Sequence, residues 1–117
     1  MKEESTIKSK SFEVGTKLLK ILYKIQSERH EYNLTNQLIR SATSIHANAQ
    51  EGTGAGSRRD FTARLVISRK ETYETLSWIA FMMELDFLNR ETGVYYLDEY
   101  TQILKMLNSS IRTLRKR

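Results

Sequence analysis

Arg40-Ser-Ala-Thr-Ser-Ile-His-Ala-Asn-Ala-Gln-Glu-Gly-Thr-Gly-Ala-Gly-Ser-Arg-Arg-Asp-Phe61 is the stretch on which the fold turns. It runs a helical pattern out through small residues, crosses Gly52-Thr-Gly-Ala-Gly56, and opens a second helical pattern at Ser57. Ser57 and Asp60 have capping-box spacing, with aspartate in place of the commoner glutamate. A helix, a short glycine-rich turn and a capped helix make an antiparallel pair. Before the turn, Leu34, Leu38, Ala42, Ile45 and Ala49 recur at helical spacing. Ser41, Ser44 and Ala47 keep that helix slim enough for a neighbour to approach closely. Asn33 or Thr35 is placed to cap it.

Outward from this joint the pattern stays helical. The chain has 117 residues, no proline and only 5 glycines. Residues 1–10 are polar and charged and read as a disordered or frayed basic tail ahead of a single domain over 11–117. Phe12, Val14, Leu18, Ile21, Leu22 and Ile25 mark a first helix over about 11–28, with Gly15 a weak point in it. The helix after the glycine turn reads from about 58 to Asn89, which then breaks the pattern with Gly93. Leu97, Tyr100, Leu104, Leu107, Ile111 and Leu114 mark a last helix over about 95–114. The fold class is all-α, an up-down-up-down antiparallel four-helix bundle.

Placed at 100° steps, the third helix carries two apolar faces. Leu65, Thr72, Leu76, Ile79 and Met83 form one, an ordinary core face. Ile67, Trp78, Phe81, Met82 and Leu85 form the other. Either the fourth helix covers both, or the second is an interface with another subunit or another protein. Glu71 and Glu74 border the second face. Carboxylates beside apolar surface need partners, and Arg40, on a polar face of the second helix with Asn48 and Glu51, can bridge either of them.

Composition excludes several chemistries. There is no cysteine, hence no disulfide and no thiolate metal site. The 2 histidines, His30 and His46, lack zinc-ligand spacing, and His46 reads onto the outer side of the second helix. No Glu-x-x-His occurs, as a helical di-metal site requires. Gly52-x-Gly-x-Gly56 lacks the Gly-Lys-Ser/Thr ending of a phosphate loop and follows no strand. No catalytic residue, metal or cofactor is expected. No apolar run reaches the roughly 20 residues of a membrane span, and the chain reads as cytoplasmic.

The formal net charge is +5. Arg58, Arg59, Arg64, Arg69 and Lys70 lie along the start of the third helix; Arg112, Arg115, Lys116 and Arg117 crowd the end of the fourth. An antiparallel bundle brings those two ends together, which makes one basic patch for phosphate. The reading is a non-enzymatic homo-oligomer that binds structured RNA or DNA. The alternative is a protein-interaction scaffold that uses the second apolar face and binds no nucleic acid.

Arg40-Ser-Ala-Thr-Ser-Ile45, Ala47-Asn48, Glu51-Gly52, Gly54, Ser57-Arg-Arg-Asp-Phe61 and Lys70-Glu-Thr-Tyr-Glu-Thr-Leu-Ser-Trp78 together resemble the bacterial four-helix-bundle family of 23S rRNA intervening-sequence proteins. The likeness spans about residues 11–114. It departs at His46, where the family often has proline or glycine, and at Gln50, where it has alanine. The resemblance implies a left-handed bundle and a homo-oligomer, with a ring-shaped pentamer as the best-known form. Relatives encoded within 23S rRNA gene insertions, or assisting reverse transcriptases, imply RNA or DNA contact and no particular reaction.

Overall fold

The computed structural model of the protein describes residues 2–116, with side chains from Thr6 onward. Four helices follow one another: α1 (Lys2–Arg29), α2 (Asn33–Thr53), α3 (Arg58–Glu84) and α4 (Arg90–Arg115). Each packs on its two neighbours, α1 on α2 and α4, α3 on α2 and α4, which closes an up-down-up-down bundle. It is elongated, 48 × 21 × 18 Å, as expected for helices of up to 28 residues at 1.5 Å per residue.

α1 begins well before the expected position. Ile7 lies one heptad before Val14 and is fully buried, with Val14, Leu18, Leu22 and Ile25 continuing its line. The frayed tail expected over residues 1–10 is therefore corrected from Thr6 onward. Lys10 pairs with Glu99 on α4, and Lys8 Nζ reaches Thr53 Oγ1 at 3.5 Å. The side chain of Lys2, and Arg117, lie outside the described residues. Phe12 is also corrected: it is 62% exposed, because the line through Ile7, Ser11 and Val14 turns it away from the core. Gly15 is buried on α1 opposite Tyr100, and a Cβ there would stand 4.0 Å from the Tyr100 hydroxyl oxygen.

Neither Asn33 nor Thr35 caps α2. Glu31 does so from the position before the N-cap residue Tyr32, its carboxylate accepting from the amides of Leu34 (3.0 Å) and Thr35 (2.9 Å). α3 ends at Glu84, short of Asn89. Phe87 N donates to Met82 O at 2.8 Å and Asp86 N to Met83 O at 3.1 Å, the two bonds of a Schellman motif. Asp86 takes the left-handed position, φ 63°, that glycine usually fills. Asn89 starts α4 instead, accepting from Thr92 N at 2.8 Å. Gly93 then falls inside α4, where a Cβ would stand within 2.3 Å of Met83 Sδ. The break expected at Asn89–Gly93 is thus the first turn of a helix.

The core stripe of α4 is Tyr96, Tyr100, Ile103, Leu107 and Ile111. Leu97, Leu104 and Leu114 are half-buried beside it. The Tyr100 hydroxyl is buried with no hydrogen-bond partner among the described residues, and burial pushes its pKa well above the ordinary tyrosine value. Its folded pKa being raised, it contributes stability that is complete below about pH 10 and is lost as pH rises through the folded value. Tyr100→Phe removes no hydrogen bond. It is expected to leave urea stability at pH 7 unchanged or to raise it by up to about 1 kcal/mol, and to flatten the loss of stability above about pH 10.

Gly52 closes the α2–α3 joint. It is buried in the last turn of α2, and a Cβ there would meet the Phe61 ring at 2.8 Å and Arg64 Cβ at 3.4 Å. Gly52→Ala should therefore destabilise by about 1–3 kcal/mol, overpacking outweighing the gain in helix propensity, measured as a lower urea midpoint with unchanged slope.

Candidate nucleic-acid interface

The α2–α3 contact is close because small side chains line it. Ser41, Ala42, Ile45, Ala49 and Gly52 are buried on α2; Leu65, Ser68, Thr72 and Thr75 are buried on α3. Ser68 Oγ donates to the backbone carbonyl of Ile45 at 2.9 Å, and the Ser41 and Thr75 hydroxyls are 2.8 Å apart. A side-chain bond to a neighbouring helix's own carbonyl requires the two backbones to run side by side.

Along the edge of that contact runs one polar seam. Glu71 is 8% exposed. Arg40 Nη1 lies 3.3 Å from both Glu71 carboxylate oxygens, and Nη2 donates to Glu74 Oε1 at 2.6 Å. The carboxylates hold the Arg40 pKa above its ordinary value, chiefly through the hydrogen bond to Glu71 and against a smaller effect of burial. Ser44 Oγ donates to Glu71 Oε2 at 3.3 Å, and Asn48 Nδ2 donates to Ser44 Oγ at 3.0 Å. Arg64 continues the line, donating to Asn48 Oδ1 at 3.2 Å and pairing with Glu51 at 2.9 Å. The seam thus joins Arg40, Ser44, Asn48 and Glu51 of the polar face of α2 with Glu71 and Glu74, and adds Arg64, which was expected to meet phosphate. Asp60 stands apart, its amide donating to Ser57 Oγ at 3.1 Å as the capping spacing demands.

The expected basic residues divide. Arg64 is committed to the seam. Arg69 Nη1 donates to Asn108 Oδ1 at 3.1 Å and ties α3 to α4. Lys70 is exposed farther along α3. Arg58 and Arg59, on the first turn of α3, instead share a hollow of about 660 Å³ with Arg115 from the last turn of α4. Its lining between them is apolar: Val66 and Leu114, both half-buried, form the floor, and the exposed Ala63 and Ile67 form one wall. Arg112 and Lys116 are exposed on the same end of α4. Across the Ala63–Ile67 ridge lies a second hollow with Glu51, Asp60 and Arg64 on its walls. The two flanks of the ridge therefore differ in sign. Sequence reasoning named the arginines but not the apolar floor between them, which needs the α3–α4 juxtaposition to exist.

The second face of α3 is corrected in one member. Met82 is fully buried in the core, and its neighbour Met83 packs half-buried against Gly93. Ile67, Phe81 and Leu85 remain exposed, at 37%, 54% and 53%. Trp78 is half-buried beside Phe81, ring centroids 5.9 Å apart, and its indole N–H is buried without a partner among the described residues. His46, expected on the outer side of α2, faces α1. Its Nδ1 lies 3.1 Å from the Lys8 carbonyl oxygen, and its ring lies 5.3 Å from that of Phe12. Among the described residues no group of three or more His, Cys, Asp or Glu side chains is placed to hold a metal ion. No helix among them is long and apolar enough to cross a membrane.

The family model described as "23S rRNA-intervening sequence protein" matches residues 3–109. The chain belongs to this family. A solved structure from Bacteroides thetaiotaomicron VPI-5482 is similar to it over nearly all of both chains. That structure is described as a protein with unknown function from the S23 ribosomal protein family, and the TM-score is 0.91 at 32% identity, covering 94% of this chain and 98% of the other. No curated protein matches. Neither description names an enzymatic activity. For this intervening-sequence family member the likeness fixes the four-helix architecture, and the side chains described above supply the chemistry.

The seam makes a graded prediction. Arg40→Met leaves the Glu71 carboxylate at the helix contact without its cation and should cost about 1–3 kcal/mol. Arg64→Met removes the exposed pair with Glu51 and the exposed hydrogen bond to Asn48, and should cost less than Arg40→Met, about 1 kcal/mol or below. Parallel urea melts of the two variants check the order.

Proposed function

We propose that this chain is a non-enzymatic, cytoplasmic, homo-oligomeric bundle that binds structured RNA or DNA through the basic end shared by α3 and α4. The observation that carries the reading is the single hollow rimmed by Arg58, Arg59 and Arg115, from two elements far apart in sequence. Arginine forks suit phosphate oxygens, and the acidic flank across the ridge steers phosphate to the arginine side. The net charge of +5 and a family description that names 23S rRNA favour the same partner class. Lys70, Arg112 and Lys116 widen the positive surface, whereas Arg64 and Arg69 serve contacts within the bundle.

Self-association is assigned to the far half of the second α3 face. Trp78, Phe81 and Leu85 form an aromatic and aliphatic strip of the kind found at interface centres, and a ring-shaped pentamer is the form proposed. Ile67 belongs to the hollow. The exposure of Phe81 and Leu85 also favours a second reading, a scaffold on which another protein docks there.

Anisotropy titrations of structured RNA and duplex DNA over a salt series separate the two, with oligomer mass followed by light scattering. Phosphate binding should weaken steeply with salt. Arg59→Glu/Arg115→Glu should weaken it at least about tenfold and reduce the slope of log affinity against log salt by about 2. No binding at low salt by an intact oligomer overturns the nucleic-acid reading and leaves the scaffold.

A further inference from the structure

We propose that the hollow between α3 and α4 takes an unpaired nucleotide, so that the protein prefers nucleic acid with a bulged base over a continuous duplex. This deepens the nucleic-acid reading above and rests on it. A surface that only follows duplex phosphates needs cations and no apolar floor. Here the cations stand around one. Val66 and Leu114 are half-buried and packed on the bundle core, so the floor is held in place. Ile67 is exposed at its edge. The hollow is open and shallow, with a volume of about 660 Å³, so a base lies flat against its floor and is not enclosed.

A base stacked in a duplex cannot reach such a floor. An extruded base can. It loses stacking and pairing when it leaves the helix, and that cost is smallest where it is already unpaired. In the hollow its flat face covers the aliphatic carbons, a guanidinium plane from the rim stacks on its other face, and the flanking phosphates meet the remaining arginines.

With the arginines engaged by the phosphates and by the face of the base, the hollow offers little else that reads a base edge. Thr62 supplies a neutral hydroxyl, which already donates to the Arg58 carbonyl at 2.8 Å. Binding is therefore selective for an unpaired nucleotide and tolerant of which base it is.

The test uses the full chain and two probes in fluorescence anisotropy, a blunt duplex and the same duplex with one bulged uridine. Each is made as RNA and as DNA to separate the two sources of an unpaired nucleotide. The bulged form should bind at least about tenfold tighter in one series or both, and exchanging the bulged uridine for another base should change affinity less than about threefold. Ile67→Ser should remove most of that preference, lowering affinity for the bulged probe several-fold more than for the blunt duplex. Ile67→Thr is run beside it as a milder change, with helicity and oligomer mass checked for both. Equal affinity for blunt and bulged probes overturns the inference and leaves arginine-dependent binding standing. A preference that survives both Ile67 variants overturns it by locating the nucleotide elsewhere. No binding of either probe overturns the functional reading itself.

Discussion

The structure depends on a carboxylate caught between two closely packed helices. Serine, alanine and glycine on α2 let α3 approach until Ser68 bonds a carbonyl of α2. At that separation Glu71 cannot keep a full hydration shell, and burying an unpaired carboxylate is costly. Arg40 meets it from α2 and is itself half-exposed, so one charge of the pair stays in contact with water. Replacing such pairs by apolar residues is often neutral or stabilising, so net stability is a poor explanation for it. We take its role as register. Sliding α3 by one turn moves Glu71 away from Arg40 and Ser44, and separates Ser41 from Thr75 and Arg64 from Asn48. Errors in register thus cost several polar contacts together.

Fixing that joint determines which surface is left over. Because α2 and α3 are locked with Gly52 under Phe61, the first turn of α3 lies at a fixed end of the bundle, and α4 closes beside it. Arg58, Arg59 and Arg115 meet as a consequence of topology. The same seam withdraws Arg64, whose guanidinium goes to Asn48 and Glu51. What remains is a positive rim beside a negative flank, a sharper distribution than a net charge of +5 conveys.

The four helices, the slim face of α2 and the Ser57 cap could be read from sequence because periodicity and capping spacing are local signals. So could the association of Arg40 with Glu71 and Glu74, once the two helices were antiparallel neighbours. The misreadings have particular causes. Ile7 stands alone among charges, and its place in the core shows only when the heptad from Val14 is run backwards. Asp86 fills a left-handed position usually held by glycine, so periodicity alone runs α3 on to Asn89 and makes the cap of α4 look like a stop. Met82 and Met83 are adjacent, about 100° apart on the helix, and the core takes the first. Arg64 and Arg69 looked available for phosphate because nothing in one dimension reveals that Asn48 and Asn108 lie across from them.

The proposed site also explains why the exposed strip on α3 belongs in the same account. Three arginines around a shallow hollow make few phosphate contacts, and the electrostatic gain from so few is largely lost at physiological salt. One bundle alone would be a weak ligand for RNA or DNA. Copies joined through Trp78, Phe81 and Leu85 would present the same hollow repeatedly about an axis, and the second and later contacts would form at high effective concentration. The strip and the hollow lie on one helix but roughly 16 Å apart along it, counting Ile67 to Trp78 at 1.5 Å per residue, so assembly need not cover the rim. On this argument the apolar strip is what converts a modest basic patch into a useful one. A nucleic acid would be held according to how well its unpaired positions match the spacing of hollows in the assembly.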